Sequence, residues 1–536
     1  MASAEPVASE PAFSEARRWA ITATVMLVSV LQILDTSITN VALPHIQGAL
    51  SAGLDEVSWV LTSYLAANAV ILPATGWLTA RLGRRRFFLI CTLLFTLSSF
   101  LSAVAPSVEF LIAARVLQGL GGGPIIPIAQ AVLWEIFPVR QRGMAMAVWG
   151  MGIVLAPTFG PTVGGWIADN WSWRWIFYIN LPIGVVGFFM ASLLLFDSPH
   201  AKPAGRADLL GLVLMIVGFG GLQLVLDRGE REDWFDSSVI VAMTTLAVVA
   251  LTAFVIRELT AEEPLLDLNL LADRNFTVGS VVMSIAGFGF YASMLLLALY
   301  TQKLMGYDAW TSGLVLAPSG IGQAVTLLFV GVLVSRFDQR ILLSFGVLMN
   351  GLATYLMSTA TLSVDFWSLA LPRLVQGVGM GCIFVPLQML AFQSVPIRHL
   401  PNATALFSVV RNIGGSAGVA ISTTLLSRRA QLHQSALVAN VHPGDPETAE
   451  RLQLWTQHFQ THGADAITAG QQAVTMLYRE TVAQAQVLAF MDDFRLLAVM
   501  YACLVGLIFL MHRSRPERAA RREPADERAV AAVAAE

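Results

Sequence analysis

The sequence predicts an all-helical integral membrane protein with fourteen spans, set out as two six-helix halves with a two-helix insert between them. Three observations predict it. Of 536 residues, 56% are hydrophobic and 13% charged, with a mean hydropathy of +0.66, whereas soluble domains carry about 25% charged residues. Apolar runs of about 20 residues, the length that crosses a bilayer, occur fourteen times, from 19–43 to 494–512. The chain also repeats itself. Arg115-Val116-Leu117-Gln118-Gly119-Leu120-Gly121 returns 258 residues later (115 to 373) as Arg373-Leu374-Val375-Gln376-Gly377-Val378-Gly379. Gly76-x-Leu78-x-x-Arg81 returns 255 residues later (76 to 331) as Gly331-x-Leu333-x-x-Arg336. The two pairs relate span 4 to span 12 and span 2 to span 10, a shift of one six-helix half plus two spans.

In chain order, residues 1–18 form a polar tail, 19–197 the first six spans and 205–258 the insert. Residues 272–513 form the last six spans, interrupted by a long segment at 427–493, and 514–536 form a second polar tail. The first apolar run is too long for a signal-peptide core and contains Asp35, so it reads as a retained span. Basic residues gather in alternate loops: Arg17 and Arg18, Arg81 with Arg84 to Arg86, Arg140 and Arg142, Lys202 and Arg206, Arg336 and Arg340, Arg513 and Arg515. The positive-inside rule then places both termini in the cytoplasm, and an even span count, which puts both termini on one side, agrees with it independently. Segment 427–493 falls on the other side. From Ala464 to Phe494 it holds helix formers and no proline. A helix is expected there, either resting on the outer rim or serving as a docking platform. Cys91, Cys382 and Cys503 lie scattered in apolar runs, with no disulfide framework or metal spacing.

The fifth run contains the stretch Trp149–Trp166. Gly152, Ala156, Gly160 and Gly164 fall four apart and share one helical face, which lets two membrane helices touch closely. Pro157 and Pro161 each remove a helical hydrogen bond, so the freed carbonyls need neighbours inside a bundle. The stretch is either a tight helix contact or the pivot of a protein that changes shape. Span 1 carries Gln32, Asp35, Thr36 and Thr39 on one face. An ionisable residue inside a span is costly and faces a cavity or a partner. Asp35 is therefore either a structural ion-pair member or a carboxyl that exchanges protons. Span 4 presents Arg115 and Gln118 on one face, and Arg115 stays charged, suited to biasing a nearby acid. Arg373 is its repeat copy without a matching acid in span 9; Arg411-Asn412 sits at mid-depth in span 13. Phe288, Phe290 and Tyr291, with Gln32 and Thr39, are candidates for contacting an apolar ligand, and packing alone is the other reading of the aromatics. With Asp35 the one carboxylate clearly within a span, neutral lipophiles, weak acids or monocations are expected as ligands rather than dications.

Several of these runs resemble a known family. Gly160-Pro161-x-x-Gly164-Gly165 resembles the antiporter motif on the fifth helix of major facilitator superfamily exporters. Leu34-Asp35-Thr36-Ser37-Ile38-Thr39-Asn40-Val41-Ala42-Leu43-Pro44 resembles the first-helix signature of the fourteen-helix drug:proton antiporter family. Gly76-Trp77-Leu78-Thr79-Ala80-Arg81-Leu82-Gly83-Arg84 resembles the superfamily's signature loop, but Ala80 stands where the common pattern has an aspartate. Trp171 to Pro182 and Gly379 to Pro386 resemble EmrB-type multidrug exporters. The resemblance implies the major facilitator fold, proton coupling through Asp35 and Arg115, and export of amphiphilic drugs across a cell inner membrane. It also implies a periplasmic adaptor protein leading to an outer-membrane duct. Export of a specific metabolite or fatty acid, and a transport-silent membrane scaffold, are the alternatives. With no Gly-Lys-Ser/Thr phosphate loop and no nucleophile–base or metal constellation, an enzyme, a cofactor, a metal and a nucleic-acid partner are not expected.

Overall fold

The computed structural model describes residues 13–197, 208–261, 264–442 and 444–513, and its regular elements are all helical. The expected tails 1–12 and 514–536, and the loop residues Lys202 and Arg206, lie outside the described residues. The first half comprises α1 (Glu15–Leu50), α2 (Leu54–Ile71), α3 (Thr75–Leu82), α4 (Arg84–Ala103), α5 (Val108–Gly122), α6 (Ile125–Ile136), α7 (Val139–Asn170), α8 (Trp175–Tyr178) and α9 (Asn180–Leu194). The insert is α10 (Leu209–Arg228) and α11 (Ser238–Thr260). The second half comprises α12 (Arg274–Leu299), α13 (Ala309–Leu333), α14 (Gln339–Met357), α15 (Phe366–Ala391), α16 (Leu400–Val438), α17 (Pro446–Thr461) and α18 (Ala466–Ile508).

Short helices pair into spans where proline interrupts them. Pro73 separates α2 from α3, which meet at 63°. Pro124 separates α5 from α6 within one span, and α8 with α9 makes another. Among the described residues twelve helices are long and apolar enough to cross a membrane, and the bent α2–α3 pair is a thirteenth. The expected fourteenth span falls on the end of α18, which is not among those helices but carries Phe494, Leu497, Tyr501, Leu504 and Ile508 as a buried stripe at helical spacing. Apolar side chains such as Phe189, Leu193, Val249 and Phe329 stay exposed around the perimeter. In water so much exposed apolar surface would drive association; here it is the face toward lipid. Exposed Trp166, Trp171 and Trp175 form a ring-on-ring ladder with Tyr178, suited to the membrane interface.

The same device packs both halves. On α7, a Cβ at Gly152 would lie 2.8 Å from Met26, at Gly160 2.6 Å from Ser37 Oγ, and at Gly164 2.7 Å from Ile38. Only the absence of side chains lets α1 lie so close. Pro161 has no N–H, so the Pro157 carbonyl one turn back loses its helical donor; Ser37 Oγ donates to it at 3.5 Å. In the second half α16 meets α12 likewise: a Cβ at Gly414 would lie 2.3 Å from the Ser284 carbonyl, and at Gly418 2.4 Å from that of Phe288.

The halves meet along α7 and α13. Gly143 abuts Val334, Gly331 abuts Ala147, and Gly320 receives Thr158. On the side of the bundle that holds the termini, Gly76 of α3 meets Asn402 of α16, and Trp134 packs edge-on against Phe392. At the opposite end of the bundle, α10 lies between α2 and α16. Asp227 accepts from Thr62, and Arg228 lies 4.1 Å over the Trp59 ring. Ser416 donates to Gln223 at 3.1 Å, and Trp234, just past α10, donates to Thr424 at 2.7 Å. The insert therefore touches both halves at one end. At its other end Asp208, the N-cap of α10, pairs with Arg257 at 2.9 Å. Burial pushes the Asp208 carboxyl up, but the bonds from Arg257 and the Gly211 amide prevail and hold it below its ordinary value.

Residues 427–493 are largely helical, as expected for 464–494. α16 continues to Val438, α17 lies against α18, and α18 runs unbroken into the last span. Arg451 forks onto Glu480 at 3.1 and 3.3 Å, and His433 meets Asp492 at 2.9 Å.

Gly160→Leu should be expressed but destabilised by about 1–3 kcal/mol, the usual cost of overpacking a close contact, with cysteine labelling showing one side of the bundle persistently accessible. Gly160→Ala should be the milder lesion, relieved by Ser37→Gly. A Gly160→Leu protein with wild-type melting and wild-type labelling would exclude the close-packed contact.

Candidate functional site

The first half buries an ion pair at its centre. Asp35 of α1 and Arg115 of α5 are both fully buried, with Arg115 Nη1 2.5 Å from Asp35 Oδ2. The carboxylate takes two further donors, Gln118 Nε2 at 2.9 Å and Asn180 Nδ2 at 2.7 Å, both to Oδ1. Ser99 Oγ accepts from the same two amides at 3.2 and 2.9 Å. Arg115 has further partners of its own. Nε donates to the Val60 carbonyl at 3.1 Å, Nη1 to Gln118 Oε1 at 2.7 Å, and the guanidinium lies 4.2 Å over the Tyr64 ring. Local sequence explains the arrangement. A Cβ at Gly119 would lie 2.4 Å from the Tyr64 carbonyl, so α2 approaches α5 closely only because that residue is glycine. Four spans of the first half, those of α1, α5, α4 and α9, thus supply side chains to one buried network, and a fifth, α2, supplies the ring.

Other predicted residues fall elsewhere. Gln32 donates to the Tyr64 hydroxyl at 2.9 Å and borders the network. Thr39 spends its hydroxyl on the Asp35 carbonyl at 2.7 Å and is buried. Phe288 and Tyr291 lie in the α12–α16 seam, Tyr291 against Gly415 and half exposed; Phe290 lies 6.0 Å from the Arg373 guanidinium. In the predicted signature loop Gly76 and Arg81 are helical, and the turn itself is the one residue Gly83, at φ +83°. Arg81 is exposed; Arg84 is buried and paired with Glu135. Asn180, Ser99 and Tyr64 escaped the sequence reading. The available signal for Asn180 was a lone amide in an otherwise apolar span.

The repeat brings a second, altered copy. The displacement of 258 that relates Arg115 to Arg373 also carries Asp35 to Ser293, and the displacement of 255 carries Tyr64 to Ser319. Arg373 Nη1 donates to Gln376, Arg373 Nη2 to Ser319 Oγ at 3.0 Å, and Gln376 Nε2 to Ser293 Oγ at 2.7 Å. The geometry is retained while the acid is replaced by serine. The structure also buries a carboxyl not singled out from sequence: Asp493, 1% exposed at the mouth of the last span, with neither oxygen hydrogen-bonded among the described residues.

A sequence profile described as Major Facilitator Superfamily matches residues 25–419. The chain belongs to the major facilitator superfamily. Among superfamily proteins, it is 39% identical over 427 residues to the multidrug export protein EmrB of Haemophilus influenzae, covering 80% of this chain and 84% of that one. It is 36% identical over 423 residues to the fatty acid resistance protein FarB of Neisseria gonorrhoeae, covering 79% and 83%. The human organic anion transporter MFSD10 has a similar fold, with a TM-score of 0.62 at 12% identity over 92% of this chain and 99% of that one. The fourteen-span reading, with two halves and an insert, fits this superfamily, and the chain is a multi-pass membrane protein of a transporter family.

Removing one member of the Asp35–Arg115 pair leaves a buried charge unmatched. Asp35→Leu and Arg115→Leu should each lose on the order of 3–5 kcal/mol of stability. The double variant should lose less than the sum of the two, read as melting of purified protein in a double-mutant cycle. Additive losses would mean the two side chains do not interact.

Proposed function

We propose that this protein is a proton-coupled antiporter that exports amphiphilic drugs or toxic lipophilic compounds across the cell inner membrane, with both termini in the cytoplasm. The observation that carries the reading is the Asp35 carboxylate, buried in a transporter-family bundle and bonded by Arg115, Gln118 and Asn180. Protonation of Asp35 removes its charge but leaves Arg115 supported by the Val60 carbonyl, Gln118 Oε1 and the Tyr64 ring. The network thus has partners ready for both proton states of one carboxyl. The α1–α7 contact adjoins it, since Ser37 and Ile38, which meet Gly160 and Gly164, lie two and three residues beyond Asp35. A change of charge at Asp35 therefore acts beside the helix that runs along the other half. On this orientation, Gly76–Asn402 and Trp134–Phe392 close the cytoplasmic side. The relatives named for multidrug export support the cargo class. FarB, named for fatty acid resistance, supports a second reading in which a fatty acid is the cargo.

The extracytoplasmic helices fit a partner. A cavity of about 490 Å³ lined by Leu362, Leu437, Val441, Leu477, Arg451 and Glu480 opens among α16, α17 and α18. Leu432, Leu454, Val474 and Tyr478 are exposed on the same helices. This surface is proposed to hold the periplasmic adaptor that leads to the outer-membrane duct.

In proteoliposomes with an imposed pH gradient, the wild-type protein should drive efflux of a lipophilic dye, and Asp35→Asn should lower the rate at least about tenfold, equivalent to roughly 1.4 kcal/mol of barrier. Undiminished pH-driven flux through Asp35→Asn would remove that residue from coupling. Replacing residues 432–486 by a short flexible linker should preserve this flux while abolishing adaptor co-purification and whole-cell resistance. Retained co-purification would place the docking surface elsewhere.

A further inference from the structure

The two halves treat their buried arginines differently. In the first half Asp35 cancels Arg115. In the second, Arg373 and Arg411 lie on membrane-spanning helices and neither meets an acid among the described residues. Arg373 donates to two neutral groups, Gln376 and Ser319, and lies 6.0 Å from the Phe290 ring, although its Nε is buried without a partner. Arg411 has no such bonds. Among the described residues its side chain has no hydrogen bond, ion pair or stacked ring, and its Nε is buried without a partner. The residue as a whole is only partly buried, and its terminal nitrogens, unlike Nε, are not fully buried. The site that holds it is built. Gly287 of α12 makes room, a Cβ there lying 3.2 Å from the Arg411 carbonyl oxygen and 3.6 Å from Arg411 Cγ. Tyr291, one turn further along α12, lies against Gly415 of α16, one turn beyond Arg411. The buried acid of this half, Asp493, sits at the outer mouth of α18 with Asp492 and Arg429 as its charged neighbours.

A cation inside a membrane bundle is retained where a pathway or ligand uses it. A guanidinium offers a planar fork of donors that matches a carboxylate better than a point charge. The aromatic surface of Phe288, Phe290 and Tyr291 lies on the helix beside it, suited to the apolar part of the same molecule. We infer that Arg411 binds the negatively charged head of an anionic amphiphile, a carboxylate carried on an apolar chain or ring, with α12 aromatics against its tail. The inference rests on the transport reading and narrows its cargo. Asp35, already bonded by three donors, is left to the proton, so anion and proton occupy separate sites and do not compete for one carboxylate. The expectation of neutral, weakly acidic or monocationic cargo sharpens to the anion of a weak acid.

The test uses full-length protein in phosphatidylcholine nanodiscs with two probes, radiolabelled dodecanoate and its neutral counterpart dodecanamide. Wild-type protein should bind dodecanoate at least about tenfold more tightly than dodecanamide. Arg411→Gln should lose that preference while keeping its melting temperature and its dodecanamide affinity, and Arg411→Lys should keep part of it. Equal affinities in wild-type protein, or a preference that survives in Arg411→Gln, would overturn the proposal. If Arg411→Gln fails to fold, Arg411→Lys decides: an undiminished preference overturns the role of the guanidinium fork, and a weakened one supports it. Phosphatidylglycerol added to the disc should leave dodecanoate binding in place; complete displacement would assign the site to a lipid headgroup and overturn a cargo role. Intact pH-driven dye flux without anion preference would sink this site alone. Anion preference without flux would sink the antiporter and leave the site standing.

Discussion

The structure depends on burying a carboxylate and a guanidinium against each other where water cannot reach them. Each ion alone would cost several kcal/mol to desolvate. Together they are tolerated because most of the remaining lone pairs and N–H groups find protein partners, Gln118 and Asn180 on one side and the Val60 carbonyl and the Tyr64 ring on the other, with Arg115 Nη2 left without a hydrogen bond. Those partners come from different spans, so the pair dictates how the helices of the first half are rotated. A helix turned by one residue would move its contribution about 100° around the axis and leave a charge unmet.

The second half shows what the repeat keeps when the acid is gone. Arg373, Gln376 and their serine partners retain the spatial pattern of Arg115 and Gln118. Ser293 stands at the position of Asp35 and cannot ionise at neutral pH. The two halves share a scaffold, and the buried, arginine-paired carboxyl belongs to one of them. The glycine contacts are shared more evenly. Gly160 and Gly164 on α7, and Gly414 and Gly418 on α16, bring equivalent helices to equivalent distances in both halves.

Much of this was legible in the sequence because membrane proteins advertise it. Spans are long apolar runs, a displaced Arg-Val-Leu-Gln-Gly string reveals the repeat, and Asp35 stands out against an apolar helix. The breaks at Pro73 and Pro124 were not among the expectations, although the chemistry of proline accounts for them. What stayed hidden were partners whose residue types are ordinary in apolar helices. Ser99 and Tyr64 carry no signal until the helices are rotated against one another, and Asn180 sits in a stretch dominated by tryptophans. Asp493 lies where a span ends, and a charge at that depth reads as a boundary marker until α16 and α18 close over it. The reach of α10 to both halves was equally invisible, since it depends on which faces the insert turns to its neighbours.

That reach has a mechanical consequence. A helix fastened to both halves of the bundle at the end far from the termini acts as a tie-rod, and any widening there would stretch at least one fastening. The fastenings are a hydroxyl on Asp227, Arg228 on Trp59, Ser416 on Gln223 and Trp234 on Thr424. Polar contacts of this kind are worth about 0.5–1.5 kcal/mol each once exchange with water is counted. The rod is therefore too weak to lock the halves and strong enough to bias where they rest. A chain built from the two halves alone would lose that spring constant.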